Sequence, residues 1–363
     1  MFRPSEFRDL VSGRRQGPAA SLARGLLRAV EGPYTWAVRR RNRRYDTGAA
    51  PIHRVDVPVV SIGNLTLGGT GKTPLVEWVA RWFQQQGVAV AVISRGYGAK
   101  PGQPNDEALE LALKLPGVPH LQNPDRVTAA REAIEYHGAE AIVLDDAMQH
   151  RRLHRDLNIV LLDALEPFGF GHVFPRGTLR EPIEGLSRAD VLVLSRADIL
   201  DQPARDAFWA KIARYAPGAI RAEAAHAPRR LVATPQSPAM QNLVGPPACR
   251  EAPLDLLTGR RVAAFCGIGN PAAFEHTLRS CGYEVADFRV YPDHHPFGPA
   301  DVASLTQWAQ PQDVEAVVCT QKDLVKLGVE RLGQTPLWAV AISLKLLSGR
   351  ELLEQRLAAL LSR

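Results

Sequence analysis

One short stretch does most to constrain this chain: a strand, a glycine-rich turn and a helix in direct succession. Residues 57–62 form an apolar, β-branched run, the pattern of a strand covered on both faces. Gly63-Asn64-Leu65-Thr66-Leu67-Gly68-Gly69-Thr70-Gly71-Lys72-Thr73-Pro74 comes next, and then Leu75, Val76, Val79, Trp82 and Phe83 recur at helical spacing. Glycines at 68, 69 and 71 let backbone N–H groups turn inward around phosphate oxygens. The start of the helix adds about half a positive charge. Lys72 reaches the β- and γ-phosphates of a nucleoside triphosphate, and the Thr73 hydroxyl suits Mg²⁺. Pro74 lies in the first helical turn, where its missing N–H is harmless. The general phosphate-loop pattern has glycine at position 66, and this chain has Thr66. Gly68, Gly69, Thr70, Gly71, Lys72 and Thr73 are the expected nucleotide-binding residues.

The next 120 or so residues extend the α/β pattern. Residues 88–93, 141–144, 158–163 and 191–194 are short apolar strands, and 108–115 has a helical pattern. Strands alternating with helices predict a mainly parallel sheet with sites at strand carboxyl ends. Asp145 and Asp146 end one such strand, where an acidic residue suits Mg²⁺. Gln149-His150-Arg151-Arg152 comes shortly after, and either faces an anionic substrate or is a solvated basic run. Asp106-Glu107 opens a helix, where acidic residues favour the helix dipole. Ser195-Arg196-Ala197-Asp198 only approximates a guanine-recognition motif.

The second half begins another α/β unit. Residues 226–253 are rich in proline, alanine and polar residues and read as a linker or peripheral hairpin. Strands are predicted at 262–266, 317–320 and 337–342, and helices up to 278 and over 352–361. Gly267-Ile268-Gly269-Asn270-Pro271 reads as a structural turn, because position 272 is alanine where a dinucleotide fingerprint needs glycine. His294 and His295 admit three roles: metal ligand, helix cap or proton transfer. Adjacent histidines do not easily converge on one metal.

Charge is concentrated at the start. Residues 1–56 hold twelve arginines against five acidic residues, a net +7, whereas the whole 363-residue chain carries +6. A basic segment on a near-neutral body points to a local anionic surface and away from a general nucleic-acid binder. Leu22, Leu26, Val30 and Tyr34 fall four apart on one helical stripe, succeeded by Trp36 and Arg39-Arg40-Arg41-Asn42-Arg43-Arg44. Amphipathic helices with aromatics and a basic flank lie in anionic membrane interfaces. The same pattern also fits a helix packed on the body. Gly32-Pro33 is expected to break or kink it.

Composition excludes other classes. Apolar residues make up 45% and charged residues 23%, as in soluble globular proteins. No uncharged apolar run approaches the roughly 18–20 residues that span a bilayer. The four cysteines are scattered, with no Cys-x-x-Cys pair, so a reducing cytosol is expected rather than a disulfide framework or structural zinc. Two readings compete with a group-transfer enzyme. One is a phosphate-loop ATPase or GTPase driving a partner's conformation. The other is a basic membrane or nucleic-acid adaptor, on which the phosphate loop is hard to explain.

Taken together, several motifs resemble the tetraacyldisaccharide 4′-kinase family, which phosphorylates a lipid A precursor. They are Ser61 to Pro74, Ser94-Arg95-Gly96-Tyr97-Gly98, Asp145-Asp146-Ala147-Met148-Gln149-His150, Leu179-Arg180-Glu181-Pro182, Gly267 to Pro271 and Asp293-His294-His295-Pro296-Phe297. Thr66 resembles that family's own loop. The resemblance implies transfer of the ATP γ-phosphate to the 4′-hydroxyl of a tetraacyl disaccharide 1-phosphate, with Mg²⁺. It implies Asp106 as general base with Glu107 beside it, and His294 acting with the base. Lys72 and Thr73 match the phosphate-loop pair, and Asp145 and Asp146 the second acidic pair. Arg126, Gln149, His150, Arg180 and Glu181 match other active-site positions. Asn105 and Ala108 flank the base where the family has glycine and proline, and Gln321 stands before Lys322 where it has glutamate.

The implied partners are a lipid disaccharide and an anionic inner-membrane surface on its cytoplasmic face, with no nucleic acid and no obligate protein partner. The expected organisation is an N-terminal membrane-associated helical segment over 1–50 and a P-loop kinase domain over 51–225. A linker or hairpin over 226–255 then leads to a second, smaller α/β domain over 256–363 that closes over the active site.

Overall fold

The computed structural model describes residues 4–68, 70–96, 105–233, 250–293 and 295–362, with only the backbone at Pro4, Ser5, Asp106 and Glu107. Gly69, Tyr97, Gly98 and His294, all singled out above, lie outside the described residues, as do the side chains of Asp106 and Glu107.

Two helices open the chain, α1 (Pro4–Ser12) and α2 (Pro18–Asp46). After them come β1 (Val59–Asn64), α3 (Lys72–Gln85), β2 (Val90–Ser94), α4 (Asp106–Lys114), β3 (His120–Gln122), α5 (Arg126–His137), β4 (Ala141–Asp145), β5 (Leu157–Asp163), β6 (Val191–Ser195) and α6 (Gln202–Ala213). The second half comprises β7 (Ile220–Ala233), β8 (Arg250–Ala252), β9 (Arg261–Cys266), α7 (Pro271–Ser280), β10 (Glu284–Val290), α8 (Pro299–Ala309), β11 (Ala316–Thr320), α9 (Gln321–Leu327), β12 (Arg331–Leu332), β13 (Thr335–Ser348) and α10 (Arg350–Leu361).

The chain divides into two compact units, and the division does not respect chain order. The first holds residues 1–95, 123–225 and 345–363; the second holds 96–122 and 226–344. The helix opened by Asp106 therefore belongs to the second unit, and α10 to the first.

In the first unit β6, β5, β1, β4 and β2 lie side by side, all parallel. Every residue of β1, β2, β4 and β6 is buried, which is why their sequences read as unbroken apolar runs rather than alternating ones. Phe83, Leu75 and Val79 press α3 onto this sheet with no exposed surface. In the second unit β10, β9, β11 and β13 are parallel in that order. The segment read as a linker or hairpin contributes a strand arm: Leu231 to Ala233 of β7 pair antiparallel with β8.

Helix α2 runs through Gly32-Pro33 without ending, so of the expected break or kink the break does not occur. Pro33 removes only its own N–H bond to the preceding turn, and both flanks are tied to the body. Glu31 accepts from the Val173 backbone N–H at 2.8 Å, and Tyr34 Oη donates to the Arg180 carbonyl at 3.2 Å. The expected stripe also splits. Leu22, Leu26 and Val30 are 68%, 63% and 54% exposed, while Tyr34 packs edge-on against Phe174. A spacing of four rotates each step by about 40° on a 3.6-residue helix, so Tyr34 has turned away from Leu22 toward the body.

Candidate active site

The phosphate loop leaves β1 at its carboxyl end and enters α3 through Gly71, the N-cap, in the left-handed region at φ 83°. Gly68, at φ 113°, needs the same freedom. A second segment lies along the loop: Leu67 N–H donates to the Thr178 carbonyl and Arg180 N–H to the Leu65 carbonyl, both at 2.7 Å. Ser195 Oγ, at the end of β6, donates to the Thr70 carbonyl at 2.9 Å. The loop is thus held by the backbone of residues 178–180 and by the Ser195 hydroxyl, neither of which belongs to the loop motif.

Asp145 closes β4 in register with Ile62 of β1, so the acidic pair emerges beside the loop. Asp146 takes a left-handed conformation at φ 50°, uncommon for a non-glycine residue and frequent at functional sites. Its carboxylate meets Lys72 Nζ at 3.4 Å and Arg180 Nη1 at 2.7 and 2.8 Å. Burial works to raise its pKa, but Lys72 and Arg180 outweigh burial and hold it below the ordinary carboxylate value.

Of the other expected residues, Arg126, Gln149, His150, Arg180 and Glu181 belong to the same unit as this pair. Arg126 begins α5 and is only 3% exposed. Burial lowers its pKa and Arg95 adds to that, while Asp146 and Asp145 oppose both. His150 is pulled down to about 4 by burial and by Arg126, Arg155 and Arg152, so it is neutral at pH 7. Thr70 Oγ1, Arg126 Nε and Arg180 Nε are buried without a hydrogen-bond partner among the described residues. Buried donors of this kind are complete only with an acceptor supplied from elsewhere.

Glu181 is fully buried. Both its oxygens accept from Arg188 Nη2, at 2.8 and 2.7 Å, and they also take Gln149 Nε2 at 3.0 Å and Asn42 Nδ2 at 2.8 Å. A carboxylate accepts about four hydrogen bonds, so this one is saturated. Gln149 Nε2 also donates to the Asn64 carbonyl at 3.0 Å, and Asn64 Oδ1 accepts from Lys72 Nζ at 3.3 Å. Removing Arg188 would strand a buried carboxylate, at about 3–5 kcal/mol. Asn42 and Arg188 carry no motif signal, and Asn64 lies in the loop motif without having been singled out. Their involvement depends on contacts across 139 residues in one case and 7 in another.

In the second unit the cap of α4 is Asn105, whose side chain accepts from Ala108 N–H. The acidic pair occupies the first turn behind that cap. Gln122 grips Asn105 twice, at 2.6 and 3.1 Å. His295 Nε2 lies 3.0 Å from Asp301 Oδ1, and Asp301 itself caps the start of α8 by accepting from Gly298 N–H. Asn270 caps α7 through Ala273 N–H, as the structural-turn reading expects.

A parallel sheet with a phosphate loop after its central strand, a lysine at the head of the following helix and an acidic pair at the adjacent strand end define a phosphate-loop nucleotide-binding protein. Comparison with known proteins narrows this. The family model described as tetraacyldisaccharide-1-P 4′-kinase matches residues 23–362. A tetraacyldisaccharide 4′-kinase of Anaeromyxobacter sp. (strain K) is 41% identical, covering 96% of this chain and 93% of its own length. That of Syntrophus aciditrophicus is 38% identical, covering 81% and 82%. The crystal structure of LpxK from Aquifex aeolicus in complex with ATP is similar at a TM-score of 0.73 and 28% identity, covering 93% of this chain and 99% of that one. The chain belongs to the tetraacyldisaccharide-1-P 4′-kinase family.

Proposed function

We propose that this chain transfers the γ-phosphate of ATP to the 4′-hydroxyl of a tetraacyl disaccharide 1-phosphate, giving the 1,4′-bisphosphorylated lipid. The convergence of Lys72 and Arg180 on Asp146 beside the phosphate loop carries the reading. Phosphoryl transfer asks a protein mainly for alignment and for charges placed where charge develops. Gly68, Gly69, Thr70 and Gly71 offer the backbone cradle, Lys72 reaches the transferring phosphate, and Arg180 and Arg126 add positive charge on the same side. The unmet donors at Thr70, Arg126 and Arg180 suit the oxygens of a bound polyphosphate.

Thr73, Asp145 and Asp146 are the residues that would hold Mg²⁺. A hydroxyl and a carboxylate suit this ion, which takes few protein oxygens and completes its shell with phosphate oxygens and water. When bound it neutralises charge on the β- and γ-phosphates.

In this reading Asp106 takes the proton of the attacking hydroxyl, whose own pKa lies far above 7. His294 acts with that base and Glu107 stands beside it. Gln149, His150 and Glu181 shape the surroundings. Neutral His150 serves as a hydrogen-bonding group rather than a charge.

The acceptor is a lipid, so the enzyme must work at an interface. Leu22, Leu26, Val30 and Trp36 of α2 are more than half exposed, and Arg40 lies over the Trp36 ring at 5.6 Å. These features support peripheral binding to the anionic cytoplasmic face of the inner membrane. No helix among the described residues is long and apolar enough to cross a bilayer. An ATPase or GTPase that drives a partner accounts for the phosphate loop but not for the family membership. The deciding experiment is transfer of labelled γ-phosphate to the lipid, with label released only as free phosphate as the contrary result.

A further inference from the structure

Helix α2 has two faces that meet different surroundings. Leu22, Leu26, Val30 and Trp36 face outward. On the inner face Tyr34 Oη donates to the Arg180 carbonyl at 3.2 Å, Asn42 Nδ2 donates to Glu181 Oε2 at 2.8 Å, and the Asn42 carbonyl accepts from Arg151 Nη1 at 3.0 Å. Arg151 is itself anchored to Asp46 of the same helix at 2.6 Å.

From Asn42 the hydrogen bonds continue without a gap to the phosphate loop. Glu181 Oε1 accepts from Gln149 Nε2 at 3.0 Å, the same nitrogen donates to the Asn64 carbonyl at 3.0 Å, and Asn64 Oδ1 accepts from Lys72 Nζ at 3.3 Å. Gln149 Oε1 lies 3.5 Å from Arg180 Nη1, the nitrogen that holds Asp146. We infer that Asn42 is a positioning residue for phosphoryl transfer, through which the outward-facing helix α2 holds Glu181, Gln149 and so the Lys72–Asp146–Arg180 cluster in register. The inference rests on the function proposed above.

The argument is one of saturation. Glu181 is fully buried and has all its acceptor positions filled, Asn42 supplying one. Without that donor Oε2 keeps only Arg188, and the carboxylate is free to turn toward it. Gln149 then loses the partner that fixes its amide. The opposite orientation of that amide would set N–H groups against the Arg180 guanidinium, a donor with no acceptor capacity. Sequence spacing hides this link, because Asn42 sits inside a run of arginines that reads as solvated charge.

The test is steady-state transfer of labelled γ-phosphate from Mg·ATP to tetraacyl disaccharide 1-phosphate in detergent micelles. Wild type is compared with Asn42→Leu, Asn42→Asp, Glu181→Gln and the double variant Asn42→Leu/Glu181→Gln. Flotation with vesicles of phosphatidylglycerol and phosphatidylethanolamine and a thermal melt are run on each. Expected for Asn42→Leu is a fall in kcat of about tenfold, as for a misplaced reacting group, with KM for ATP moved less than about threefold. Its vesicle flotation and Tm should match wild type. Asn42→Asp, of the same size but with a charge facing Glu181, should fall further. The double variant should be no slower than Glu181→Gln alone, since the two residues act in one chain. Unchanged kcat in both Asn42 variants overturns the inference. So do additive losses in the double variant, and so does a fall in kcat that tracks lost flotation or lowered Tm, which marks a helix merely unseated. A wild type that labels no lipid contradicts the proposed function itself, and the inference with it.

Discussion

Lys72 and Asp146 stand 3.4 Å apart, Nζ to Oδ1, and Arg180 closes on the same carboxylate at 2.7 Å. One anion shared by two cations leaves the cluster with an excess of positive charge, and buried Arg126 adds to it. The position of Asp146 at the end of β4 and of Lys72 at the head of α3 results from strand register and helix start, so the pairing is a property of the fold.

The phosphate loop depends on a close backbone approach just before it. A Cβ at Gly63 would stand 2.6 Å from Met148 Cβ and 2.7 Å from Met148 N. Gly63→Ala is therefore expected to destabilise the first unit by about 1–3 kcal/mol, the usual range for overpacking. Thermal melts check this, and an unchanged Tm would mean that the two strand ends separate freely.

Residues Leu22 and Leu26 bury little of their surface in the body. Leu22→Ser/Leu26→Ser should keep Tm within about 1–2 °C of wild type, as surface changes do. Binding to anionic vesicles should fall at least about tenfold through lost apolar insertion. Equal vesicle binding would assign this face another role.

Histidine pKa values set an acid limit on stability. His120 and His150 drop from 6.5 to about 4, each chiefly through burial. Between those values the unfolded chain binds more protons than the folded one, so stability rises with pH across this window. It is lost progressively as pH falls from 6.5 toward 4, and below 4 both states are protonated. His120→Leu should flatten the slope of Tm against pH in that window; a slope equal to wild type would contradict the assignment. Asp146 moves oppositely, its folded pKa lying below the ordinary value. Its contribution is present above the ordinary carboxylate pKa and lost below the depressed one.

The proposed base separates chemistry from binding. Asp106→Ala should lower kcat by about 10²–10⁴-fold, the range of general-base catalysis, while equilibrium binding of ATP changes little. Loss of ATP binding in proportion to kcat would remove Asp106 from that role.

The central strands and the phosphate loop are legible in the sequence because each buried parallel strand is a continuous apolar run and the loop lies between a strand and a helix. Strands β7 and β13 are not legible at their full length. Outside their apolar centres they carry arginine, lysine, proline and serine, which periodicity scores as loop. Helices α5 and α6 escape detection because alanines and charged residues blur their apolar face. At Pro33 local propensity predicts a break or kink, and tertiary anchors at Glu31, Tyr34 and Asn42 accompany a helix that does not break. Of the site, the residue types are legible, but the saturation of Glu181 is not. Its partners Asn42, Gln149 and Arg188 are distant or unmarked in sequence, and only folding brings them to one carboxylate.

The most direct measurement is transfer of labelled γ-phosphate from Mg·ATP to tetraacyl disaccharide 1-phosphate, with wild type beside Lys72→Ala. The account expects labelled lipid from wild type and a loss of several orders of magnitude in the variant. Label released only as free phosphate, or a variant as active as wild type, would contradict it.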